Sequence, residues 1–178
     1  MTTIGVIADT HVPQRLAQLP EGIERVFRGV ELIVHAGDVN KRYVLVQLNR
    51  IAPTLAVAGN ADLFGSGLPA KRVVEIAGKR IGLIHGHGSW LRYLVHKVTD
   101  LPKYNKRRYC HMAYEAFVDE RVDAIVFGHT HRPDRVMHRG VLLFNPGPVA
   151  PKYYETAGPQ IGLMHIDSNE IHTEIVKL

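Results

Sequence analysis

Residues able to bind metal ions follow short apolar runs at five places in this sequence. They comprise two carboxylates, one carboxamide and four imidazoles: Asp9, His11, Asp38, Asn60, His85, His129 and His131. Such a mixture of nitrogen and oxygen ligands suits Mn²⁺, Fe or Zn²⁺ better than Ca²⁺ or Mg²⁺, which prefer oxygen throughout. Seven ligands exceed the needs of one tetrahedral zinc ion, whereas two metals that share a bridging carboxylate would use them all.

The apolar runs before these residues have the length and β-branched content of buried strands. They span residues 4–8, 32–37, 55–59, 81–84 and 124–128. Helical patterns at 20–28, 41–50 and 107–120 separate several of them, and Asn40 is a suitable N-cap for the second helix. Alternating strands and helices predict parallel βαβ units with both faces of the sheet covered.

Later in the chain the pattern changes to hairpins. The predicted hairpin strands are 72–76 with 80–85, 135–137 with 141–144, and 161–166 with 171–176. The sequence therefore predicts a largely parallel half followed by a more antiparallel half. An α/β fold of the two-sheet α/β/β/α sandwich type accommodates both halves.

The carboxyl ends of strands in open α/β sheets gather at one edge, where ligands bind. A polar residue at one strand end needs no explanation beyond capping that strand. A metal-capable residue directly after all five runs, with two more histidines close behind, is better explained by a strand-end dinuclear metal site.

The order of these motifs resembles a known family. The motifs are Asp9-Thr-His11, Gly37-Asp38, Gly59-Asn60, His85-Gly-His87 and Gly128-His129-Thr-His131, with Asn145-Pro-Gly near the end. They resemble the calcineurin-like metallophosphoesterase superfamily, and within it the small single-domain YfcE-type phosphodiesterases of prokaryotes. The resemblance implies the same four-layer sandwich.

The resemblance also implies how the metals are held. One metal would be bound by Asp9, His11 and His131, the other by Asn60, His85 and His129, and both by Asp38. The two divalent ions would be Mn²⁺, with Fe, Zn, Ni or Co as alternatives.

The function so implied is a dinuclear metal-dependent phosphoesterase. It would be a phosphodiesterase for small or nucleotide-like phosphodiesters, acting by in-line attack of a metal-bridging hydroxide. The candidate catalytic residues are Asp38, Asn60 and His87. Ala61 stands where many relatives carry a histidine that serves phosphomonoesters, and the small phosphodiesterases lack that histidine too. His87 is either the acid that protonates the leaving group or a structural loop histidine.

Net charge is concentrated in one segment. The chain has a net charge of +5, and residues 92–111 carry six basic residues and one acidic residue, which account for all of it. We predict a basic insertion or lid at about 89–112, which would be a solvated face, a lid that steers anionic substrate, or a nucleic-acid surface. A metal-dependent nuclease and a non-catalytic scaffold of the same fold are the alternative functions.

Length and composition bound the class of protein. A chain of 178 residues favours a single domain over 1–178, and 46% hydrophobic with 22% charged residues excludes disordered and collagen-like chains. No apolar run approaches the ~20 residues of a membrane span. The amino terminus indicates a first strand and no export signal, and Cys110 has no partner for an internal disulfide, so the expected location is cytoplasmic. A homo-oligomer is compatible with the sequence.

Three further residues have structural interpretations. His35, inside the second predicted strand, is expected to be a buried, hydrogen-bonded histidine. Asp62 is expected to be a turn residue, and Cys110 is expected to pack within a helix.

Overall fold

A computed structural model describes residues 1–62, 66–88, 105–151 and 158–178. The strands are β1 (Thr2–Ile7), β2 (Leu32–His35), β3 (Thr54–Ala56), β4 (Lys71–Ile76), β5 (Lys79–Ile84), β6 (Ala124–Val126), β7 (Asp134–His138), β8 (Val141–Asn145), β9 (Gln160–Ile166) and β10 (Ile171–Lys177). The helices are α1 (Gly22–Val26), α2 (Arg42–Asn49) and α3 (Lys106–Glu115).

The strands form two five-stranded sheets. The first has the order β10-β9-β1-β2-β3 and the second β4-β5-β6-β8-β7. In the first sheet β1, β2 and β3 run parallel, while β9 is antiparallel to both β1 and β10. In the second sheet β5, β6 and β8 run parallel, and β4 and β7 pair antiparallel at its edges.

The predicted division into a parallel half and an antiparallel half is therefore wrong. In the first sheet the parallel strands occupy one side and the last hairpin, which returns to pair with β1, occupies the other. In the second sheet a parallel centre lies between two antiparallel edge strands. The three predicted hairpins form as expected, and the two-sheet α/β fold is confirmed.

An apolar layer fills the space between the two sheets. The first sheet contributes Ile4, Val6 and Val34, and the second contributes Leu83 and Val126, all fully buried. Because side chains alternate along a strand, the residues between these point to the opposite faces of the sheets.

Helices cover the opposite faces. Ile7 and Ile33 of the first sheet pack with Val44 and Leu48 of α2. The outer face of the second sheet packs on α3, with Cys110 buried there as expected. The order of layers is thus helix, sheet, sheet, helix.

Several predicted elements end early. The predicted strands 55–59 and 124–128 form only as Thr54–Ala56 and Ala124–Val126, and the predicted helix 20–28 forms as Gly22–Val26. Asn40 is not the N-cap of α2. The cap is Lys41, and Asn40 has a left-handed backbone with φ 69° in the loop before it. The residues that were predicted to extend these strands and this helix instead form loops at the edge of the sheet.

Most of the predicted basic lid lies outside the described residues, which omit 89–104. Its last part forms the start of α3, where the Asn105 side chain accepts a hydrogen bond from the Arg108 N–H. Within the described ranges, no helix has the length and apolar character needed to cross a membrane.

Candidate metal centre

The seven predicted ligand side chains come together at the carboxyl ends of the parallel strands. β1, β2 and β3 lead to Asp9, Asp38 and Asn60, while β5 and β6 of the second sheet lead to His85 and His129. His11 and His131 lie two residues further along the loops after β1 and β6. The site therefore spans the seam between the two sheets.

Asp9, His11 and His131 form the first group. The Nε2 atoms of the two histidines lie 3.3 Å apart, and Asp9 Oδ1 lies 3.4 Å from His131 Nε2 and 3.9 Å from His11 Nε2. Ligand atoms about 2.1 Å from one ion lie roughly 3–4 Å from each other. These spacings fit three ligands of one metal.

Asn60, His85 and His129 form the second group. Asn60 Oδ1 lies 3.1 Å from His85 Nε2 and 3.0 Å from His129 Nδ1. His85 donates from Nδ1 to the Ala36 carbonyl over 2.7 Å, so Nε2 is the nitrogen that faces the site. A backbone acceptor on the far nitrogen is the usual way to orient a metal-binding imidazole.

Asp38 lies between the two groups. Its Oδ2 atom is 3.4 Å from both His11 Nε2 and His85 Nε2. Its other oxygen, Oδ1, accepts a hydrogen bond of 2.8 Å from the Ala61 N–H. One oxygen is thus held by the backbone while the other faces both groups, as a bridging ligand would.

The buried carboxyl groups of the site are ionised. Burial by itself would raise the pKa of Asp38, but the charge and hydrogen bond of His85 and the Ala61 N–H outweigh burial and lower it. The pKa of Asp9 is also lowered, because the nearby imidazoles of His131 and His85 outweigh burial. Asp9 Oδ1 has no hydrogen-bond partner among the described residues. A buried, charged oxygen without a donor is the environment that a cation completes.

Most of the histidines are held neutral, which is the metal-binding form of imidazole. Burial lowers the pKa of His129 to about 3 and that of His87 to about 4, and it also lowers the pKa of His11. His85 differs, because the charge of Asp38 outweighs its burial and raises its pKa to about 9.

Backbone strain is concentrated at the same residues. Asp9, His11, Asp38, His129 and His131 have φ between 44° and 68°. A left-handed conformation costs residues with a side chain on the order of 1–3 kcal/mol each and persists only where the surroundings enforce it. Clustering at candidate ligands indicates that these loops are shaped for a site.

Two glycines leave room for the ligands. A Cβ atom on Gly59 would overlap Oδ1 and the backbone nitrogen of Asp38, and one on Gly128 would lie 2.9 Å from Asp9 Oδ2. Asp9 Oδ2 also accepts a hydrogen bond from the His129 N–H over 3.1 Å. The glycines of the Gly-Asn and Gly-His dipeptides are therefore explained sterically, because they let the loops approach the carboxylates closely.

The buried side chain of His35 helps to link the loop after β1 to the loop after β2. It is fully buried, and burial lowers its pKa to about 4, so it is neutral. Its Nδ1 accepts from the Gly37 N–H, so Nε2 donates to the Thr10 hydroxyl at 3.1 Å, and that hydroxyl donates to the Asp38 carbonyl at 3.3 Å. The expectation of a buried, hydrogen-bonded histidine is confirmed.

Asp62 has a larger role than the predicted turn residue. Its Oδ2 accepts from the Val39 and Gly59 N–H groups at 3.1 and 2.9 Å, and its Oδ1 accepts from the Asn40 N–H at 2.6 Å. It thereby ties the loop after β2 to the loop after β3. No sequence pattern shows this, because the bonds join segments 22 and 23 residues apart.

We expect Asp62→Ala to lower the free energy of unfolding by about 3–5 kcal/mol, because it leaves buried backbone donors without acceptors. Urea denaturation followed by circular dichroism measures this. Asp167→Ala is the matched control, since Asp167 accepts from the Asn169 and Glu170 N–H groups in an exposed turn. Equal losses for the two variants would contradict the role of Asp62.

Asn145 holds the loop that carries His129 and His131. Its side-chain amide donates to the Gly128 carbonyl at 2.9 Å and to the Thr130 hydroxyl at 3.1 Å, and its Oδ1 accepts from the Gly147 N–H. The Asn-Pro-Gly motif singled out in the sequence is therefore a support for this loop.

His87 lies at the border between the metal-ligand groups and a cavity. Its ring centroid is 5.5 Å from that of His85 and 6.2 Å from that of His129. Beyond it lies a cavity of about 670 Å³ between the end of β5 and α3, with mainly apolar walls that include Ile84, Met112 and Ala116. Tyr109 of α3 packs against His129, with ring centroids 5.7 Å apart.

Comparison with known proteins adds a family and a set of structural neighbours. A family model described as the calcineurin-like phosphoesterase superfamily domain matches residues 2–169. A probable metallophosphoesterase of Methanothermobacter thermautotrophicus is 35% identical over 176 residues, covering 98% of this chain and 91% of that protein. A probable metallophosphoesterase of Methanocaldococcus jannaschii is 37% identical over 150 residues, covering 84% and 69%.

Solved structures share the fold. Vacuolar protein sorting 29 from Cryptosporidium parvum superposes with a TM-score of 0.75 at 21% identity, covering 99% of this chain and 91% of that one. An archaeal phosphodiesterase superposes with a TM-score of 0.67 at 22% identity, covering 98% and 100%. At these identities the structural likeness concerns the fold.

Proposed function

The chain belongs to the calcineurin-like phosphoesterase superfamily, and from this premise we propose that it is a metal-dependent phosphodiesterase. Its substrates are small or nucleotide-like phosphodiesters. The observation that carries the proposal is the ionised, buried Oδ1 of Asp9, which lacks a hydrogen-bond donor among the described residues and faces two histidines.

Two divalent ions fit the donor set. Asp9, His11 and His131 would hold the first ion, Asn60, His85 and His129 would hold the second, and Asp38 would contribute to both. Mn²⁺ is the proposed metal, and Fe, Zn, Ni and Co suit the same ligands. When bound, the ions polarise the phosphoryl group and activate water.

The residues of the chain prepare the site for this chemistry. Asp9 and Asp38 stay ionised, and their charge supports binding of the cations. The Ala36 carbonyl orients His85, and Asn145 and Asp62 hold the loops that carry the other ligands. Positions fixed before the substrate arrives reduce the reorganisation that the reaction requires.

Protonation of the leaving group is the step that this site supports least. Ala61 supplies no proton donor beside Asn60, and His87 is neutral at pH 7 because burial lowers its pKa to about 4. His87 as general acid remains a prediction. Its neutral form favours substrates whose leaving group needs no proton, and the apolar cavity beyond it offers space for an aryl or nucleoside group.

The test is hydrolysis of bis(4-nitrophenyl) phosphate by the purified protein with Mn²⁺, before and after chelation. We expect turnover that chelation abolishes and Mn²⁺ restores. We also expect aryl diesters to react on the order of a hundredfold faster than alkyl diesters, since a general acid contributes about that factor or more. Absence of chelator-sensitive turnover with each of Mn, Fe, Co, Ni and Zn would refute the proposal.

A scaffold without catalysis is the second candidate, because the fold is shared with a vacuolar protein sorting protein. The metal content of the purified protein and its turnover separate the two functions. A protein that holds metal and hydrolyses no phosphodiester would favour the scaffold.

A further inference from the structure

Arg15 lies against the first group of candidate ligands. Its backbone N–H donates to the His11 carbonyl over 2.8 Å, which closes a turn after β1. The turn returns the side chain to the site, where Nη1 lies 3.2 Å from Nε2 and 3.4 Å from Nδ1 of His131. The charged head of Arg15 is thus placed beside the proposed ligands of a cation.

Arg15 is exposed, so its charge is available to an anion that enters the site from solvent. A guanidinium group is always charged. With two divalent ions and the carboxylates of Asp9 and Asp38, the site carries about two positive charges, and Arg15 adds a third. Like charges a few ångströms apart repel, and solvent weakens this repulsion at an exposed side chain. An anion between the guanidinium and the metals removes this repulsion.

We propose that Arg15 is a phosphate-binding residue, whose guanidinium donates hydrogen bonds to non-bridging oxygens of the bound phosphoryl group. The inference rests on the proposed function and deepens it by assigning the anion subsite. The ligands are tetrahedral oxyanions: phosphodiesters as substrates, and phosphomonoesters and inorganic phosphate as products or inhibitors. The planar guanidinium offers two parallel N–H groups, which match two oxygens of one phosphate.

A purely structural role predicts a different behaviour. A residue that only supported His131 would affect metal binding as much as phosphate binding. A residue that holds the anion leaves metal binding intact and changes the affinity for phosphate. The charge of a lysine would preserve part of this affinity, whereas the neutral glutamine would preserve little.

The experiment compares wild type with Arg15→Gln and Arg15→Lys. The control is Arg28→Gln, which changes an exposed arginine in the turn after α1. Isothermal titration calorimetry of the Mn²⁺-loaded proteins measures binding of inorganic phosphate, and elemental analysis measures bound metal. We expect the phosphate dissociation constant to rise about 10–100-fold in Arg15→Gln and less in Arg15→Lys. Arg28→Gln should match wild type, and metal content should stay constant in all four proteins.

The outcomes separate this inference from the proposed function. Phosphate binding that depends on Arg15 in a protein that hydrolyses no diester would support the inference and refute the function. Diester hydrolysis by the wild type, with phosphate affinity unchanged in Arg15→Gln, would support the proposed function and refute the inference about Arg15. Loss of metal in Arg15→Gln, or no phosphate binding by wild type, would overturn the inference.

Discussion

Asp38→Ala is expected to reduce phosphodiester hydrolysis on the order of a thousandfold or more, because it removes the one carboxylate shared by both proposed metals. The shared oxygen lies 3.4 Å from a histidine of each group. Activity measured with excess Mn²⁺ and metal bound per chain should fall together.

The Asp38→Asn variant tests the negative charge of this side chain separately from its shape. An asparagine can still accept the hydrogen bond that the Ala61 N–H donates to Oδ1, but it does not supply a negative charge to the metals. Asp167→Asn in the exposed turn is the control, and its activity should equal that of wild type. Activity of Asp38→Ala within tenfold of wild type, at unchanged metal content, would show that the metals do not share this residue.

Gly59→Ala is expected to lower activity about a hundredfold or more without removing any ligand. The new methyl group would overlap Asp38 Oδ1 and the Asp38 backbone nitrogen. The backbone atom cannot move away cheaply, since the loop is also tied by the Asp62 hydrogen bonds. Displacing the carboxylate by about 1 Å is enough for a loss of this size.

Gly22→Ala provides the steric control for this variant. A Cβ on Gly22 would meet only side-chain atoms, the nearest being Leu178 Cδ2 at 3.2 Å, and a flexible side chain can yield. Circular dichroism and metal content accompany the activity assay. Gly59→Ala that folds, binds metal and turns over like Gly22→Ala would contradict the close-approach argument.

The family and the layered fold could be predicted from the sequence because both depend on local sequence patterns. Five of the parallel strands are short apolar runs with a ligand directly after the run, as Asp9 follows residues 4–8. The convergence of strand ends at one sheet edge then brings distant ligands together. The same logic identified His35 as buried.

What the sequence could not show depends on contacts between distant loops. Asp62 and Arg15 carry no recognisable motif, and the contacts that reveal their roles reach residues 22 or more positions away along the chain. The wrong prediction of Asn40 as an N-cap has a similar cause. The Asn40 N–H donates to the Asp62 carboxylate, and the left-handed backbone of Asn40 belongs to the ligand loop. The return of β9 to β1 was also missed, since pairing of remote strands leaves no local signal.

The pairing of β9 with β1 has a consequence for folding during synthesis. β1 is translated well before β9, but it lies between β2 and β9, and its pairing with β9 runs from Thr2 with Ile166 to Val6 with Gly162. The loop with Asp9 and His11 therefore follows a strand whose neighbour β9 is translated much later. We expect a nascent chain that stops before residue 160 to contain every proposed metal ligand and yet to lack the strand pairing that holds the first two in place.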